Sequence, residues 1–204
     1  MRQRLFAALL ILSLLPAGCG AGGDAKRAEA FRAKLEAASV VCEAEVTAVS
    51  ERETGTFTLS CAESAQGAEI AVLEPELLRG VTAHTEAGSA SIAFDGIVIP
   101  VPTAPGDVSP LLGLPLLLEA LRDGCLDLVW REGDRLTAQY LLDDELAVRI
   151  YFTAEMRPAD AEIISAGRRA VTLHVTKWEQ TEKEASYEQN DPDMGGDQSQ
   201  HPGA

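Results

Sequence analysis

The sequence predicts an α+β chain that is mostly β, with an antiparallel sheet and two helical segments. Most of the chain alternates apolar and polar residues with a period of two, as a sheet with one buried face does. Two stretches break this period: an amphipathic segment near residue 30 and a leucine-rich segment near residue 115. The 204 residues suffice for one domain with a real core and tails, and only 5% are aromatic, so the core must be aliphatic.

The first 18 residues are built like a secretory signal peptide. Arg2 and Arg4 give it a positive start, and residues 5–15 form an almost unbroken apolar run. This run is too short to span a bilayer, which takes about 20 apolar residues, but it suits a signal peptide. Small residues then lead directly to a cysteine.

The segment Leu15-Pro16-Ala17-Gly18-Cys19 resembles the lipobox of bacterial lipoproteins, although Pro16 stands where that motif usually has leucine. The resemblance implies that the thiol of Cys19 is acylated, as with palmitate, and that Cys19 is the mature N-terminus. The chain would then be anchored by lipid to the cell membrane, on its extracytoplasmic face. The alternative is an ordinary secreted protein in which Cys19 is incidental.

The charge of the chain limits its partners. Removal of residues 1–18 leaves 15 basic residues against 32 acidic ones, a net charge of −17. Such a chain is a poor partner for nucleic acid, or for an anionic membrane surface by charge alone. We therefore expect no nucleic-acid partner and a membrane attachment that depends on the acyl anchor.

The first helix is predicted after a short linker. Residues 19–25 are rich in glycine and are expected to be a flexible tether before a domain at 26–178. Apolar residues then recur at helical spacing, with charged residues between them, at Ala28, Phe31, Leu35 and Ala38. This pattern is typical of an amphipathic helix.

The next two strands predict a cross-strand disulfide. A hairpin centred on Glu51-Arg52 pairs residues whose numbers sum to 103, and Cys42 and Cys61 meet that sum. Opposed residues on antiparallel strands have α-carbons about 4.5–5.5 Å apart, which is within disulfide range. Outside the cytoplasm we expect the bridge, which leaves Cys125 free, whereas the alternative is a pair of small buried apolar residues.

Further strands are predicted on both sides of a leucine-rich helix. Strands at 69–74, 80–86, 89–94 and 97–101 include a two-residue hairpin turn at Asp95-Gly96. Later strands centre on residues 128, 139, 149 and 173, with Pro158 as an interruption before the last of them. Residues 179–204 are acidic and polar, and are expected to be a disordered tail.

The leucine-rich segment has almost no polar face. Ser109 is expected to cap it, its main helix is expected to start near Pro115, and Gly124 is expected to close it. A helix that is apolar nearly all round must be buried or must cover an apolar surface.

Few residues could carry catalysis. His84 and His174 stand in strand-like contexts and His201 stands in the tail, and the chain has no G-x-S-x-G, H-E-x-x-H or Cys-x-x-Cys motif. A dyad of Cys125 with a histidine remains open, but a structural role is the simpler interpretation of each member. We expect no enzyme activity, no cofactor and no metal site.

The order of elements resembles the LolA/LolB-like lipoprotein-carrier superfamily, and looks most like its lipobox-bearing members in Gram-positive bacteria. The resemblance covers about residues 26–178 and includes the stretch from Ile70 to Gly80. It implies a strongly curved, half-closed antiparallel sheet whose concave side is plugged by helices and holds acyl chains.

In that fold the leucine-rich helix is a lid over an apolar sheet face. The expected ligand site comprises Leu114, Leu117, Leu118 and Leu121 on the lid, with Phe57, Leu59, Ile70, Val72 and Phe94 on the sheet. The implied function is binding of a lipid or acyl chain, as a carrier or chaperone. The alternative is a structural or sensing envelope lipoprotein that docks a protein partner, with its hollow packed shut and the helix as plain core. A hydrolase with scattered catalytic groups is disfavoured by the missing motifs.

Overall fold

The computed structural model describes residues 21–49, 54–64, 67–86, 89–101 and 108–182. Within these residues, helix α1 spans Ala21–Glu36, and helix α2 spans Gly113–Arg122 after a 3₁₀ turn at Pro110–Leu112. Strands β1 to β11 span, in order, Ala38–Val49, Thr54–Ser64, Gly67–Glu74, Thr82–Glu86, Ser89–Phe94, Ile97–Pro100, Cys125–Glu132, Arg135–Leu141, Leu146–Phe152, Pro158–Ser165 and Arg168–Glu182. Cys19, the signal segment, the Glu51-Arg52 turn and residues 183–204 lie outside the described part of the chain.

The described strands form a single antiparallel sheet in the order β6-β5-β4-β3-β2-β1-β11-β10-β9-β8-β7. Two meanders, β1–β6 and β7–β11, are joined where β1 pairs with β11, and α2 lies on the path between them. The sheet is unclosed, with β6 and β7 at its edges. It curves around α2, which packs against β1, β2 and β8–β11. The predicted fold class is confirmed.

The strand pairing follows the local sequence. In the β1–β2 hairpin, Val41 faces Ala62 and Cys42 faces Cys61, so the predicted register is confirmed. At the β5–β6 turn, Asp95 and Gly96 have φ of 48° and 79°. Both values are positive, as a type I′ turn requires, and aspartate and glycine tolerate them well.

Both ends of the domain are more ordered than the sequence suggests. Helix α1 already begins at Ala21, so residues 21–25 are helical and not a flexible tether. The physical reason is Asp24, which is buried and accepts hydrogen bonds from Arg131 of β7 at 2.7 and 2.9 Å. At the other end, residues 179–182 belong to β11 and not to a disordered tail, because Glu182 pairs with Ala38.

The two helices cap each other through arginine side chains. Arg32 of α1 donates hydrogen bonds to the carbonyl oxygens of Leu121 and Gly124 at the end of α2. Arg122 of α2 donates to the carbonyl oxygens of Leu35 and Ala38 at the end of α1. Carbonyls at helix ends lack partners within the helix, so each arginine satisfies groups that packing alone would leave unpaired.

Three expectations about local structure are corrected. Pro158 does not interrupt the sheet but begins β10, since a proline at the first position of a strand needs no ladder hydrogen bond there. The Ser109 side chain makes no capping hydrogen bond. Gly124 follows the helix without a left-handed φ, and is required because a Cβ there would lie 2.6 Å from the carbonyl oxygen of Ala120.

Candidate functional site

The concave face of the sheet is apolar from edge strand β6 across to β11. Directly opposed residues on neighbouring strands share a face, and the register links one row across seven strands. That row runs through Trp178, Cys42, Cys61, Ile70, Ala83, Ile92 and Ile99. Its members are fully buried from Cys42 to Ala83, but Ile99 on edge strand β6 is 59% exposed. The apolar face therefore extends beyond the cover that the helices give it.

Beneath α2 the hollow is filled by the chain itself. Leu114, Leu117 and Leu121 are fully buried, as are Leu59 and Ile70 on the sheet, and Val72 nearly so. All six belong to one packed core cluster, against which the half-buried Phe57 also packs. These residues are core, so the open space expected under a lid does not lie beneath this face of the helix.

The remaining two predicted ligand residues have different environments. Phe94 is on the concave face, two residues from Ile92, but it is 50% exposed at the end of β5. Leu118 is nearly buried and lines a cavity beside α2. Of the nine predicted residues, it is Leu118 that the structure places at a cavity wall.

This cavity, of about 640 Å³, lies between α2 and the ends of β2–β5. We call it the acidic cavity. Its apolar wall comes mainly from one flank of α2 and the 3₁₀ turn before it, from Leu112, Pro115, Leu116 and Leu118. Its polar lining includes Glu63, Glu86, Glu119, Arg122, Asp123 and Asp143. Sequence reasoning missed most of these residues because the nearly all-leucine helix does not show which flank stays open.

The cation in that lining, Arg122, makes four hydrogen bonds within the fold. Arg122 donates from Nε to Glu63 at 2.6 Å and from Nη2 to the second oxygen of the same carboxylate. Its remaining hydrogen bonds go to the end of α1, as described above. The hydrogen bond from Glu63 raises the pKa of Arg122, which keeps its charge on the pair. Glu63 also accepts a hydrogen bond from the backbone of Val40 at 2.9 Å, so the fold holds its carboxylate beside Arg122.

The acids of the cavity are less well compensated. Burial raises the pKa of Glu119, and the nearby charges of Asp123 and Asp143 raise it further. Asp143 accepts hydrogen bonds at 2.7 Å from the backbone N–H groups of Glu145 and Leu146, which form the β8–β9 turn. The charge of the cavity lining is therefore negative, and its effect appears most directly in the raised pKa of Glu119.

The two hairpin cysteines face each other inside the core. Cys42 and Cys61 are buried and paired by register, and both are free thiols in this structure. A hydrogen bond with Cys61 and burial together raise the pKa of Cys42 well above its usual value. Their predicted disulfide stays a prediction, while Cys125 is an exposed free thiol on edge strand β7.

The two histidines in the described part of the chain do not line the acidic cavity. His84 is exposed on β4, and His201 lies outside the described residues. The Nδ1 atom of His174 is 2.7 Å from Asp160, in an exposed network on the other face of the sheet that also includes Arg135. Within the described ranges, no three His, Cys, Asp or Glu side chains could hold a metal ion. Neither described helix is long and apolar enough to cross a membrane.

No family model and no curated protein matches this chain. Among solved structures, it is similar to an outer membrane lipoprotein-sorting protein domain from Vibrio parahaemolyticus, at 12% identity and a TM-score of 0.46, over 84% of this chain and 95% of that one. It is also similar to a LolA superfamily protein from Nitrosomonas europaea, at 10% identity and a TM-score of 0.44, over 78% and 92%.

A third similar chain belongs to the complex of the CwlD amidase with the GerS lipoprotein from Clostridioides difficile, at 14% identity and a TM-score of 0.39, over 76% of this chain and 94% of that one. The resemblance that the order of elements indicates is thus found again among solved structures. At these identities and TM-scores it remains a likeness, so the function of this chain has to follow from its own geometry.

Proposed function

We propose that this chain is a lipid-anchored extracytoplasmic lipoprotein that holds the apolar chain of a lipid in the acidic cavity, as a carrier or chaperone. The anchor is Cys19, as the lipobox-like segment implies. The domain binds without catalysis, and the lipid enters from the side of the sheet that the helices leave uncovered.

The observation that carries this proposal is the acidic cavity and its continuation along the sheet. Small-molecule sites usually occupy about 300–1,000 Å³ and are lined mainly by apolar groups with a few polar ones. A cavity of about 640 Å³ falls within that range. Beyond it, the apolar concave face runs on through Ile92 and Ile99, so an acyl chain longer than the cavity would still find apolar surface.

The charges around the cavity narrow the class of ligand. Its acids outnumber its one cation, and that arginine is held by Glu63 and the end of α1. An anionic head group would find the one arginine already paired with Glu63, and would meet the charges of Asp123 and Asp143, which add to burial in raising the pKa of Glu119. The ligand is therefore an acyl chain on an uncharged or cationic head group.

A second function is supported by a different region. The edge hairpin exposes Ile97 and Ile99 on the concave face and Val98 on the opposite face, all more than half exposed. Exposed apolar residues on an unpaired edge strand favour contact with another protein. In this alternative the chain is a structural or sensing envelope lipoprotein, and the packed core beneath α2 is its scaffold.

Native mass spectrometry separates the two functions. The chain is produced from residue 20 onward, which includes every described residue but lacks Cys19. Co-purified lipid with an uncharged or cationic head supports the carrier, whereas a lipid-free chain that also fails to take up a pyrene-labelled monoacylglycerol removes it. The anchor is tested separately in the full chain. Cys19→Ala should stop acylation and processing, and a mutant that still fractionates with membrane in an acylated, cleaved form would contradict the lipobox interpretation.

A further inference from the structure

We propose that a second cleft, beside α1, binds the anionic head groups of phospholipids and so seats the domain on the membrane surface. This cleft has a volume of about 460 Å³ and lies between α1, the β9–β10 turn and the end of β11. We call it the basic cleft. Its cations are Arg27, Lys34 and Arg157, and its apolar lining includes Phe31, Met156 and Trp178.

The charge of the basic cleft is opposite to that of the chain. The chain has 17 basic and 32 acidic residues, yet three cations and a single acid, Glu155, line this cleft. The backbone N–H of Glu155 and the Thr153 hydroxyl lower the pKa of the Glu155 carboxyl, and the charge of Arg157 lowers it further. Three cations against this one acid still leave the lining of the basic cleft with an excess of positive charge.

The cations are also available to a ligand. Arg27 makes one long hydrogen bond, of 3.3 Å, to the carbonyl oxygen of Ala154. Across the described residues, the side chains of Lys34 and Arg157 form no ion pair or hydrogen bond. This contrasts with Arg122 in the acidic cavity, which makes four hydrogen bonds and an ion pair within the fold.

The floor of the basic cleft is an apolar surface with an unpaired indole N–H buried beneath it. The rings of Phe31 and Trp178 lie 6.4 Å apart, and Phe31 also meets Phe152 edge to face at 5.5 Å. The Nε1 atom of Trp178 is buried without a hydrogen-bond partner in the described residues. Indole N–H groups usually find an acceptor when they are buried, and Trp is favoured where one side is apolar and the other meets lipid head groups.

The position of the basic cleft on α1 points to a membrane as the source of the anion. Arg27, Ala30 and Lys34 stand at i, i+3 and i+7, so they share one face of the helix, and all three are exposed. The two cations are about 10 Å apart along the helix axis, far enough to meet separate head groups. Helix α1 starts two residues after Cys19, so a lipid on Cys19 would hold this helix near the bilayer.

The test measures binding to vesicles by sedimentation, using the chain from residue 20 onward, with and without phosphatidylglycerol in phosphatidylcholine. One basic residue near an anionic surface is worth roughly fivefold in binding, so Lys34→Gln with Arg157→Gln should weaken binding about 25-fold. The matched control combines Lys26→Gln on the same helix with Arg79→Gln, and removes two exposed cations that do not line the basic cleft. Melting curves check that both variants stay folded.

We expect binding to phosphatidylglycerol vesicles only, a loss in the cleft variant and a much smaller loss in the control. Equal losses in the two variants, or equal binding to pure phosphatidylcholine, would overturn the proposal. Glycerol 3-phosphate distinguishes the source of the anion. In a Trp130→Phe chain the tryptophan fluorescence comes from Trp178 alone. If that fluorescence responds to glycerol 3-phosphate but the chain does not bind the vesicles, the cleft holds a soluble phosphate and the membrane assignment is wrong.

Discussion

The acidic cavity and the basic cleft are built from similar parts but carry opposite charge. Each is a few hundred Å³ of space between a helix flank and the sheet, with an apolar wall and an ionisable rim. In the acidic cavity the one cation, Arg122, is bonded to Glu63 and to backbone carbonyls, whereas in the basic cleft the cations face outward. The difference shows that a net charge of −15 says little about the local preference of either site.

The two sites are connected through the core. Trp178 of the basic cleft is paired by register with Cys42, which faces Cys61, which in turn faces Ile70. Ala68, two residues before Ile70 on β3, lines the acidic cavity. Strands β1 and β2 therefore stand between the sites, and changes there test whether the two are independent.

The largest effect is expected from a comparison of one substitution on each flank of α2. Leu117 is fully buried in the core, and Leu116 is half-buried at the wall of the acidic cavity. Leu117→Gln buries a polar group without a partner, so it should lower the free energy of unfolding by about 3 kcal/mol. Leu116→Gln should cost about 1 kcal/mol or less, yet weaken binding of a pyrene-labelled monoacylglycerol.

Melting curves and probe titrations are run on both variants, with Leu77→Gln as the control because Leu77 is 88% exposed outside the cavity. If Leu117→Gln melted like wild type, water would have to reach beneath the helix, and the lid expected from the sequence would be right after all. If Leu116→Gln bound the probe as well as Leu77→Gln does, the wall of the acidic cavity would not be the ligand site.

A smaller effect is expected from joining the two strands that stand between the sites. A disulfide between Cys42 and Cys61 would close a loop of about 20 residues and stabilise the domain by roughly 3 kcal/mol. Because the hydrogen bond with Cys61 and burial raise the pKa of Cys42, the folded dithiol should react slowly, and oxidation should occur mainly before the strands pack.

Peptide mapping without reductant detects the disulfide. The denaturant midpoints of the oxidised and reduced chain measure its effect on stability. Cys125→Ser is the control, since it leaves one possible pairing among the described cysteines. If the map finds Cys42 as a free thiol, or joined to Cys125, the predicted disulfide between Cys42 and Cys61 is wrong, although the register places the two thiols opposite each other.

Sequence periodicity is enough to predict the sheet and much of its register, but not the sites. The pairing of Cys42 with Cys61 was predicted correctly because hairpin pairing is local and a single turn determines it. Strand β10 was missed because Pro158 looks like a breaker, whereas in the fold it starts a strand. The helical state of residues 21–25 depends on the pairing of Asp24 with Arg131, 107 residues away, which no local pattern reveals.

The sites were harder to predict because they depend on which surfaces stay open. In a helix as uniform as α2, Leu116 and Leu117 look alike in sequence. Only the position of the sheet places Leu117 in the core and Leu116 at the wall of the acidic cavity. The basic cleft combines Arg27, Arg157 and Trp178 from three distant segments, so their meeting requires the whole fold.

The smallest effect is expected from the rim of the acidic cavity. Glu119→Gln removes one of its negative charges, and an interaction of about 1 kcal/mol between a carboxylate and an anionic ligand corresponds to roughly fivefold in affinity. The probe is a pyrene-labelled alkyl sulfonate, because its charge does not change with pH. The variant should bind it about fivefold better than wild type, with unchanged binding of the monoacylglycerol. Glu76→Gln, an exposed acid outside the cavity, is the matched control.

The pH dependence of sulfonate binding tests whether the charge of Glu119 opposes an anionic ligand. Since the pKa of Glu119 is raised in the folded chain, Glu119 takes up a proton earlier than an ordinary glutamate as the pH falls. Wild type should therefore bind the sulfonate better as the pH drops through that raised pKa, and Glu119→Gln should lose this part of the dependence. The linked stability has the same direction: it is present below the ordinary pKa of glutamate and is lost as the pH rises through the folded value. Identical pH profiles for wild type and Glu119→Gln would mean that the charge of this carboxylate does not reach the ligand, and that the acidic cavity does not select by head-group charge.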